Sequence, residues 1–314
     1  MHGGTAVKIT VLAGGVGAAR FLAGLVRCVD STEVTAICNV GDDLQWHGLH
    51  VSPDIDTVLY TLSGREGAEG WGLRDDGTAT LDALRALGGE TWFRIGDRDL
   101  ATHLRRTGIL RSGGSLSEAT AALARGLVVR ATVLPVTDDP HPTVVITGEG
   151  ELPFQEYFVR RRASDEVRGF RFPGAAAAAP APGVLEALGG AGVVVIAPSN
   201  PFVSIGPLLA VPGVRDALAA THARRVAVSP IVGGEAIKGP AAAMLRSLGH
   251  EVSALGVARL YHGLIDTFVL DTVDAPLAPA IAALGMRAVA LDTMMRGDEG
   301  RERVARSVLG AVSA

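Results

Sequence analysis

Hydrophobic residues in this chain come in short unbroken runs, separated by stretches where they recur every three or four positions. Ile9 to Ala13, Glu33 to Asn39, Gly192 to Ala197, Arg225 to Ser229, Thr267 to Leu270 and Met286 to Leu291 form the runs. Runs of that length with no polar alternation describe strands covered on both faces, as in a parallel sheet. Helical spacing fills the intervals, most clearly at Thr80 to Leu87, Leu116 to Leu127 and Arg301 to Val312. Strand and helix in alternation predict an α/β fold, a doubly wound, Rossmann-like and mostly parallel sheet.

The period changes at Val128. Ala131 to Val136, Thr143 to Thr147, Leu152 to Val159 and Glu166 to Phe172 look like strands divided by turns such as Asp139-Pro140-His141-Pro142. The predicted organisation is therefore a nucleotide-binding core begun by residues 1–127, a small β-rich insertion over 128–172, and a core completed by 173–314. The Ala/Pro tract from Gly174 to Gly183 reads as the surface connection back.

The first run leads directly into chemistry. In KITVLAGGVGAARFLAGL, Lys8 to Leu25, the strand breaks into Gly14-Gly15-Val16-Gly17 and a helix follows from about Ala18. Such a turn offers free backbone N–H groups and a helix N-terminus, both attractive to phosphate. Arg20 stands where a dinucleotide fingerprint needs its third glycine, and no Lys-Ser/Thr pair follows, so nicotinamide and P-loop readings are poorly supported. Arg20 is either a second phosphate contact or an ordinary solvated cation.

Acidic residues gather after the second run. Asn39-Val40-Gly41-Asp42-Asp43 carries a pair suited to a cation or several hydroxyls, or else a turn cap followed by a solvated acid. Ser52 is placed to cap the next helix, Pro53 suits its first position, and Asp54 and Asp56 complement the dipole. These acids fall near the carboxyl ends of the first two strands, the edge at which open α/β sheets bind ligands. Farther on, Asp97 is set to cap a helix carrying Arg98, Asp99 and His103. Asp99 and His103 form an i, i+4 pair for a surface contact, or Arg94, Arg98 and His103 turn toward an anionic ligand. Pro198-Ser199-Asn200-Pro201 ends the run at Gly192. A second glycine turn, Gly233-Gly234, precedes Lys238 at the start of a helix running to Leu248, giving a second phosphate contact or two ordinary βα turns.

Composition narrows the ligand. Charged residues are 20% of 314, and 29 Lys and Arg against 33 Asp and Glu leave a net charge of −4. That balance lacks the basic field nucleic-acid binding usually needs, so an anion must be held by local amides, a few arginines or a metal. Cys28 and Cys38, without spaced Cys or His partners, read as buried reduced thiols. The apolar runs are too short to span a bilayer, and no signal pattern opens the chain, so a cytoplasmic protein is expected, with Met1 to Val7 as a short tail.

The chain resembles the 2-phospho-L-lactate transferase family of coenzyme F-420 biosynthesis. The likeness rests on Gly14-Gly15-Val16-Gly17, Ser52-Pro53-Asp54-Ile55-Asp56-Thr57-Val58-Leu59-Tyr60 and Gly96-Asp97-Arg98-Asp99-Leu100-Ala101-Thr102-His103. It continues through Pro198-Ser199-Asn200-Pro201, Ser204-Ile205-Gly206-Pro207, Ser229-Pro230-Ile231-Val232-Gly233 and Gly239-Pro240-Ala241. The resemblance implies a Mg²⁺-dependent transfer of a phospholactyl or phosphoenolpyruvyl group from a guanosine diphosphate-activated donor to the ribityl hydroxyl of the deazaflavin precursor, releasing GMP. The Ala- and Arg-rich composition resembles actinobacterial members, for which the enolpyruvyl donor is expected. Carried over by position, Asp56 and Arg94 hold the acceptor. Gly14, Gly15, Gly17, Arg20, Asn200 and Lys238 are then candidates for the donor phosphates, and Asp42, Asp43 and Asp54 for the metal. Asp56 and Asp54 are the candidate catalytic acids, Asp56 orienting or deprotonating the hydroxyl. The alternative is a nucleotide-sugar-binding regulator of the same superfamily without transfer. A homodimer is the commonest assembly for an enzyme of this size.

Overall fold

The computed structural model describes residues 7–313; Met1 to Ala6 lie outside the described residues. Seven strands form one sheet: β1 (Ile9–Ala13), β2 (Val34–Cys38), β3 (Thr132–Pro135), β4 (Val193–Ile196), β5 (Arg224–Val228), β6 (Thr267–Asp271) and β7 (Arg287–Leu291). Their order across the sheet is β7-β6-β5-β4-β1-β2-β3, and every neighbouring pair is parallel. All residues of β1, β4 and β6 are buried, which accounts for their unbroken apolar runs.

The chain leaves β1 in one direction, through β2 to β3, and returns to add β4 through β7 on the other side. The switch in direction lies between β1 and β4, where the loops at their carboxyl ends part and leave a crevice. Helices α1 (Gly15–Cys28) and α2 (Pro53–Leu62) begin at this edge. Close backbone approach fixes it. A Cβ at Gly17 would lie 2.2 Å from the Pro198 carbonyl oxygen, and Ser199 Oγ donates a 2.9 Å hydrogen bond to the Gly14 carbonyl. The next glycine inside α1, Gly24, meets the C-terminal helix Gly297–Ser313, where a Cβ would lie 2.1 Å from the Arg301 carbonyl oxygen.

Several expected elements differ. Helix α1 starts at Gly15 rather than near Ala18, so the glycines are its first turn, with Gly15 at φ +70°. The strand expected at Ala131 to Val136 is β3, hydrogen-bonded to β2 in the main sheet, not part of the 128–172 insertion. The separate antiparallel sheet holds Val144–Thr147, Gly150–Pro153 and Val167–Arg171. Its apolar face joins Val203 and Met244 of the core. The strand expected over Leu152 to Val159 stops at Pro153, and Glu156–Arg160 forms a wide helical turn that turns Phe154 and Gln155 toward the crevice. Gly233-Gly234 closes a hairpin between Ile231–Val232 and Glu235–Ala236, and the helix expected from Ala236 begins only at Ala241.

Helix α3 (Ala79–Ala86) and α4 (Asp99–Arg111) exchange caps. Asp97 does not cap the helix that follows it. Its carboxylate accepts from the Ala79 and Thr80 amides at 2.9 and 2.8 Å, while Asp76 accepts from Arg98 and Asp99 at 2.7 and 2.9 Å. Helix α5 (Leu116–Gly126) carries the capping box Ser115 and Glu118. Ser52 occupies the cap position of α2, but its hydroxyl turns to Asp43 instead. Cys28 is half-buried in α1 and Cys38 fully buried in β2; both are free, and burial raises the pKa of each thiol.

Two helix glycines should respond in opposite ways. Gly24→Ala must push the C-terminal helix off α1 and should destabilise by about 1–3 kcal/mol. Gly108→Ala, in open space on α4, should stabilise by about 0.5–1 kcal/mol. Urea denaturation of the two variants checks both signs.

Candidate active site

The crevice between β1 and β4 opens into a cavity of about 490 Å³. Gly14 to Gly17 form one wall, Pro198 to Asn200 the facing one, and Asp42, Asp54 and Asp56 the floor. Arg20, Arg94, Lys238 and Arg296 stand around it with the aromatic rings of Tyr60, Trp71, Phe93, Phe154 and Phe158. Phe154 and Phe158 stack with centroids 5.5 Å apart, and the Arg94 guanidinium lies 6.0 Å over the Trp71 ring. Trp92 and Trp46 pack behind Phe93 and brace it.

Asp42 and Asp54 are drawn together by Asn39, which is fully buried at the end of β2. Its Nδ2 donates to Asp42 Oδ1 and Asp54 Oδ2, each at 2.9 Å, and its Oδ1 accepts from the Gly41 amide at 2.8 Å. Burial pushes the Asp54 carboxyl up to about 6, only partly held down by the Asn39 and Gly15 hydrogen bonds. Burial, and then the Asp54 charge, push Asp42 well above the usual carboxylate range. Neither has a cationic partner within ion-pair distance among the described residues. Asp43, grouped with them in the sequence, points elsewhere. It accepts from His50 Nε2 and Ser52 Oγ, each at 2.8 Å, and does not line the cavity. No three His, Cys, Asp or Glu side chains converge on one cation position among the described residues.

Asp56, two residues after Asp54 in the same first turn of α2, reaches the same floor and is paired from behind with Arg106 of α4. Asp99 and His103, expected as a surface pair or with His103 facing an anion, are packed beside that pair and line the same cavity. His103 is 1% exposed, with Nε2 3.2 Å from Asp99 and Nδ1 3.6 Å from Asp56, and Tyr60 donates a 2.6 Å hydrogen bond to Asp99. Burial works to raise the Asp99 pKa, yet His103, Tyr60 and Arg106 hold it below the usual value. Arg98 is exposed and outside the cavity.

The phosphate candidates separate similarly. Arg20 Nε is buried without a hydrogen-bond partner, beside the first turn of α1. The Lys238 ammonium donates to the Glu69 carbonyl, and its pKa is lowered by burial and by Arg20 nearby. Lys238 stands in a loop ahead of its helix, not at the helix start. Asn200 lines the cavity while its Oδ1 accepts from Phe202 N at 2.9 Å. The Gly233-Gly234 turn lies outside the cavity, and the Gly233 amide donates to Asp274 at 3.0 Å.

Residues 9–309 match the family described as 2-phospho-L-lactate transferase CofD. The chain belongs to that family. It is 45% identical over 310 residues to a phosphoenolpyruvate transferase of Streptomyces griseus, an alignment covering 96% of this chain and 98% of the relative. It is 37% identical over 302 residues to a 2-phospho-L-lactate transferase of Methanosarcina mazei, covering 96% and 99%. A crystal structure of a upf0052 family protein from Bacillus halodurans has the same fold, with a TM-score of 0.64 at 19% identity over 98% of this chain and all of that one. Family membership agrees with the resemblance carried by the glycine turn, the SPDID segment and the GDRDLATH segment. No single helix among the described residues is long and apolar enough to cross a membrane.

Local pattern gives no role to Arg106, Gln155 or the cavity's aromatic rings, and shows Asn39 only as a member of the acidic loop. Arg106 had a signal: with Asp99 and His103 it completes a polar stripe at i, i+4, i+7 on a helix whose pattern otherwise leaves that face to the core.

The raised Asp54 pKa has a measurable sign. Its folded value near 6 stands above an unfolded value of about 3.9, so ionisation opposes folding. The penalty is absent below about pH 4, grows between the two values, and is complete above about pH 6. Asp54→Asn should therefore melt higher than the parent at pH 8 in EDTA, by roughly 2 °C per kcal/mol recovered, with the difference gone at pH 4. A variant that melts lower at pH 8 would show that the carboxylate supports the fold.

Proposed function

We propose that this protein transfers a phospholactyl or phosphoenolpyruvyl group from a guanosine diphosphate-activated donor to the ribityl hydroxyl of the deazaflavin precursor of coenzyme F-420, releasing GMP. The observation that carries this reading is the polarity of the cavity. A buried carboxylate pair without cationic partners among the described residues shares the cavity with Arg20, whose Nε has no hydrogen-bond partner, and with the turn that opens α1, with aromatic rings alongside. An acidic pole for a cation, a basic pole for phosphate and flat apolar walls for a ring system suit this transfer. The names of the Streptomyces and Methanosarcina relatives support the two donor acids.

The residues fit Mg²⁺. This ion is commonly held by one or two carboxylates together with substrate phosphates, and Asp42 and Asp54 form such a buried oxygen pair. Bound there, Mg²⁺ would supply charge neutralisation at the diphosphate. Arg20 and the amides of Val16 and Gly17 bind the donor phosphates, while the Gly15 amide is already given to Asp54; Lys238 is able to leave the Glu69 carbonyl and join them. Asp56, backed by Arg106, accepts the hydrogen bond of the ribityl hydroxyl and orients it, and Arg94 with Trp71 borders the acceptor ring. In the reaction, the hydroxyl oxygen forms a bond to the transferred phosphorus, and the bond from that phosphorus to the GMP oxygen breaks. The hydroxyl proton passes to solvent. Loose phosphoryl transition states need positioning more than a strong base, which suits an Asp56 already paired with a guanidinium.

Purified protein with the deazaflavin precursor, Mg²⁺ and each guanylylated donor in turn should form GMP, detected by chromatography, and EDTA should stop it. Absence of GMP with either donor would leave a binding protein. Arg20→Met should raise the donor KM roughly tenfold to a hundredfold, the loss of one hydrogen-bonded charge contact. An unchanged donor KM would return Arg20 to a solvated cation.

A further inference from the structure

Arg106 is the largest fully buried side chain in the protein. It sits on α4 and touches no part of the cavity. Both terminal nitrogens donate to Asp56, Nη1 at 3.1 Å to Oδ2 and Nη2 to Oδ1. Nη1 also lies 3.5 Å from the His50 carbonyl and 3.4 Å from His103 Nδ1. A two-pronged guanidinium–carboxylate pair fixes the plane of the carboxylate as well as its position. Asp56 is 4% exposed, and the edge it leaves uncovered faces the cavity floor.

Stability alone gives little reason for this pair. Replacing a buried ion pair with packed apolar side chains is often neutral or favourable, because both charges must leave water. Here the surroundings reinforce the same geometry. Asp99, His103 and Arg106 share one face of α4, and Asp56 and Tyr60 share one face of α2, so the two helices interlock through polar contacts: Arg106 to Asp56, His103 between Asp56 and Asp99, and Tyr60 to Asp99. We infer that Arg106 is a positioning residue for the acceptor hydroxyl. It holds Asp56 as an oriented hydrogen-bond acceptor, with His103 and Asp99 fixing the helix face on which it stands. This rests on the transfer proposed above.

A double-mutant cycle in the full-length protein tests it, using Arg106→Met, Asp56→Asn and the two combined. Each single change should lower kcat/KM for the deazaflavin precursor roughly a hundredfold, the order expected from a misplaced reacting group. The combined variant should lose no more than about threefold beyond the worse single one, because the two residues act through one contact. Affinity for GDP with Mg²⁺ should stay within about threefold throughout, which a general loss of structure would not allow. Losses that multiply to about ten-thousandfold, or a GDP site that fails in parallel, would overturn the inference. If Arg106→Met does not fold, Arg106→Lys keeps the charge without the fork. It should lose roughly tenfold in the parent background and nothing further beside Asp56→Asn; an equal loss in both backgrounds would overturn the inference. Absence of turnover in the parent protein would sink the proposed transfer itself, whereas normal parental turnover with multiplying losses would sink only the role of Arg106.

Discussion

The structure depends on one close approach, between the turn that leaves β1 and the loop that leaves β4. Side chains are excluded there: a Cβ at Gly17 would strike the Pro198 carbonyl, and one at Gly14 would lie 2.6 Å from Ser204 Cβ. With the backbones in contact, the amides that open α1 line the crevice at the switch in strand order, and the loop carrying Ser199 and Asn200 faces them. Glycine is needed at this point for space and, at Gly15, for a left-handed conformation. A nucleotide fingerprint need not be complete for such an edge to attract phosphate, because the helix terminus and the free N–H groups supply the attraction.

Around that edge the protein keeps charges it does not need for folding. Asp42 and Asp54 are buried side by side, their repulsion softened by the Asn39 amide and, at Asp54, by the Gly15 N–H, and the buried Arg20 Nε has no hydrogen-bond partner among the described residues. Each arrangement costs free energy in the ligand-free chain, and each is relieved by a ligand of opposite charge. Asp56 is treated differently. It has its countercharge built in, and Arg106 makes it rigid. Two kinds of carboxylate thus share one floor, a pair without a countercharge and one acid already balanced, and the proposed division of cation binding from acceptor orientation rests on that difference.

Much of this was legible in the residues. The apolar runs marked six of the seven sheet strands, because strands buried on both faces leave no polar alternation. The seventh, Thr132–Pro135, reads as part of the insertion because it borders residues with a different period, whereas its pairing with β2 is a long-range fact. The SPDID acids were placed at the correct sheet edge. Their division of labour was hidden, since Asp42 and Asp43 are adjacent in sequence yet point to different partners. The exchanged caps of Asp76 and Asp97 show the same limit: a capping residue was recognised, but the helix it caps lies across the fold.

The sequence by itself determined the fold class, the glycine turn and the set of acids, because these follow from local periodicity, backbone freedom and residue chemistry. Only the tertiary structure decided which acids share a cavity, that Arg20 Nε is buried without a hydrogen-bond partner among the described residues, and that Arg106 secures Asp56 from another helix. Those outcomes depend on distances between segments far apart in the chain, and on desolvation, which exists only once the helices have packed around the charges.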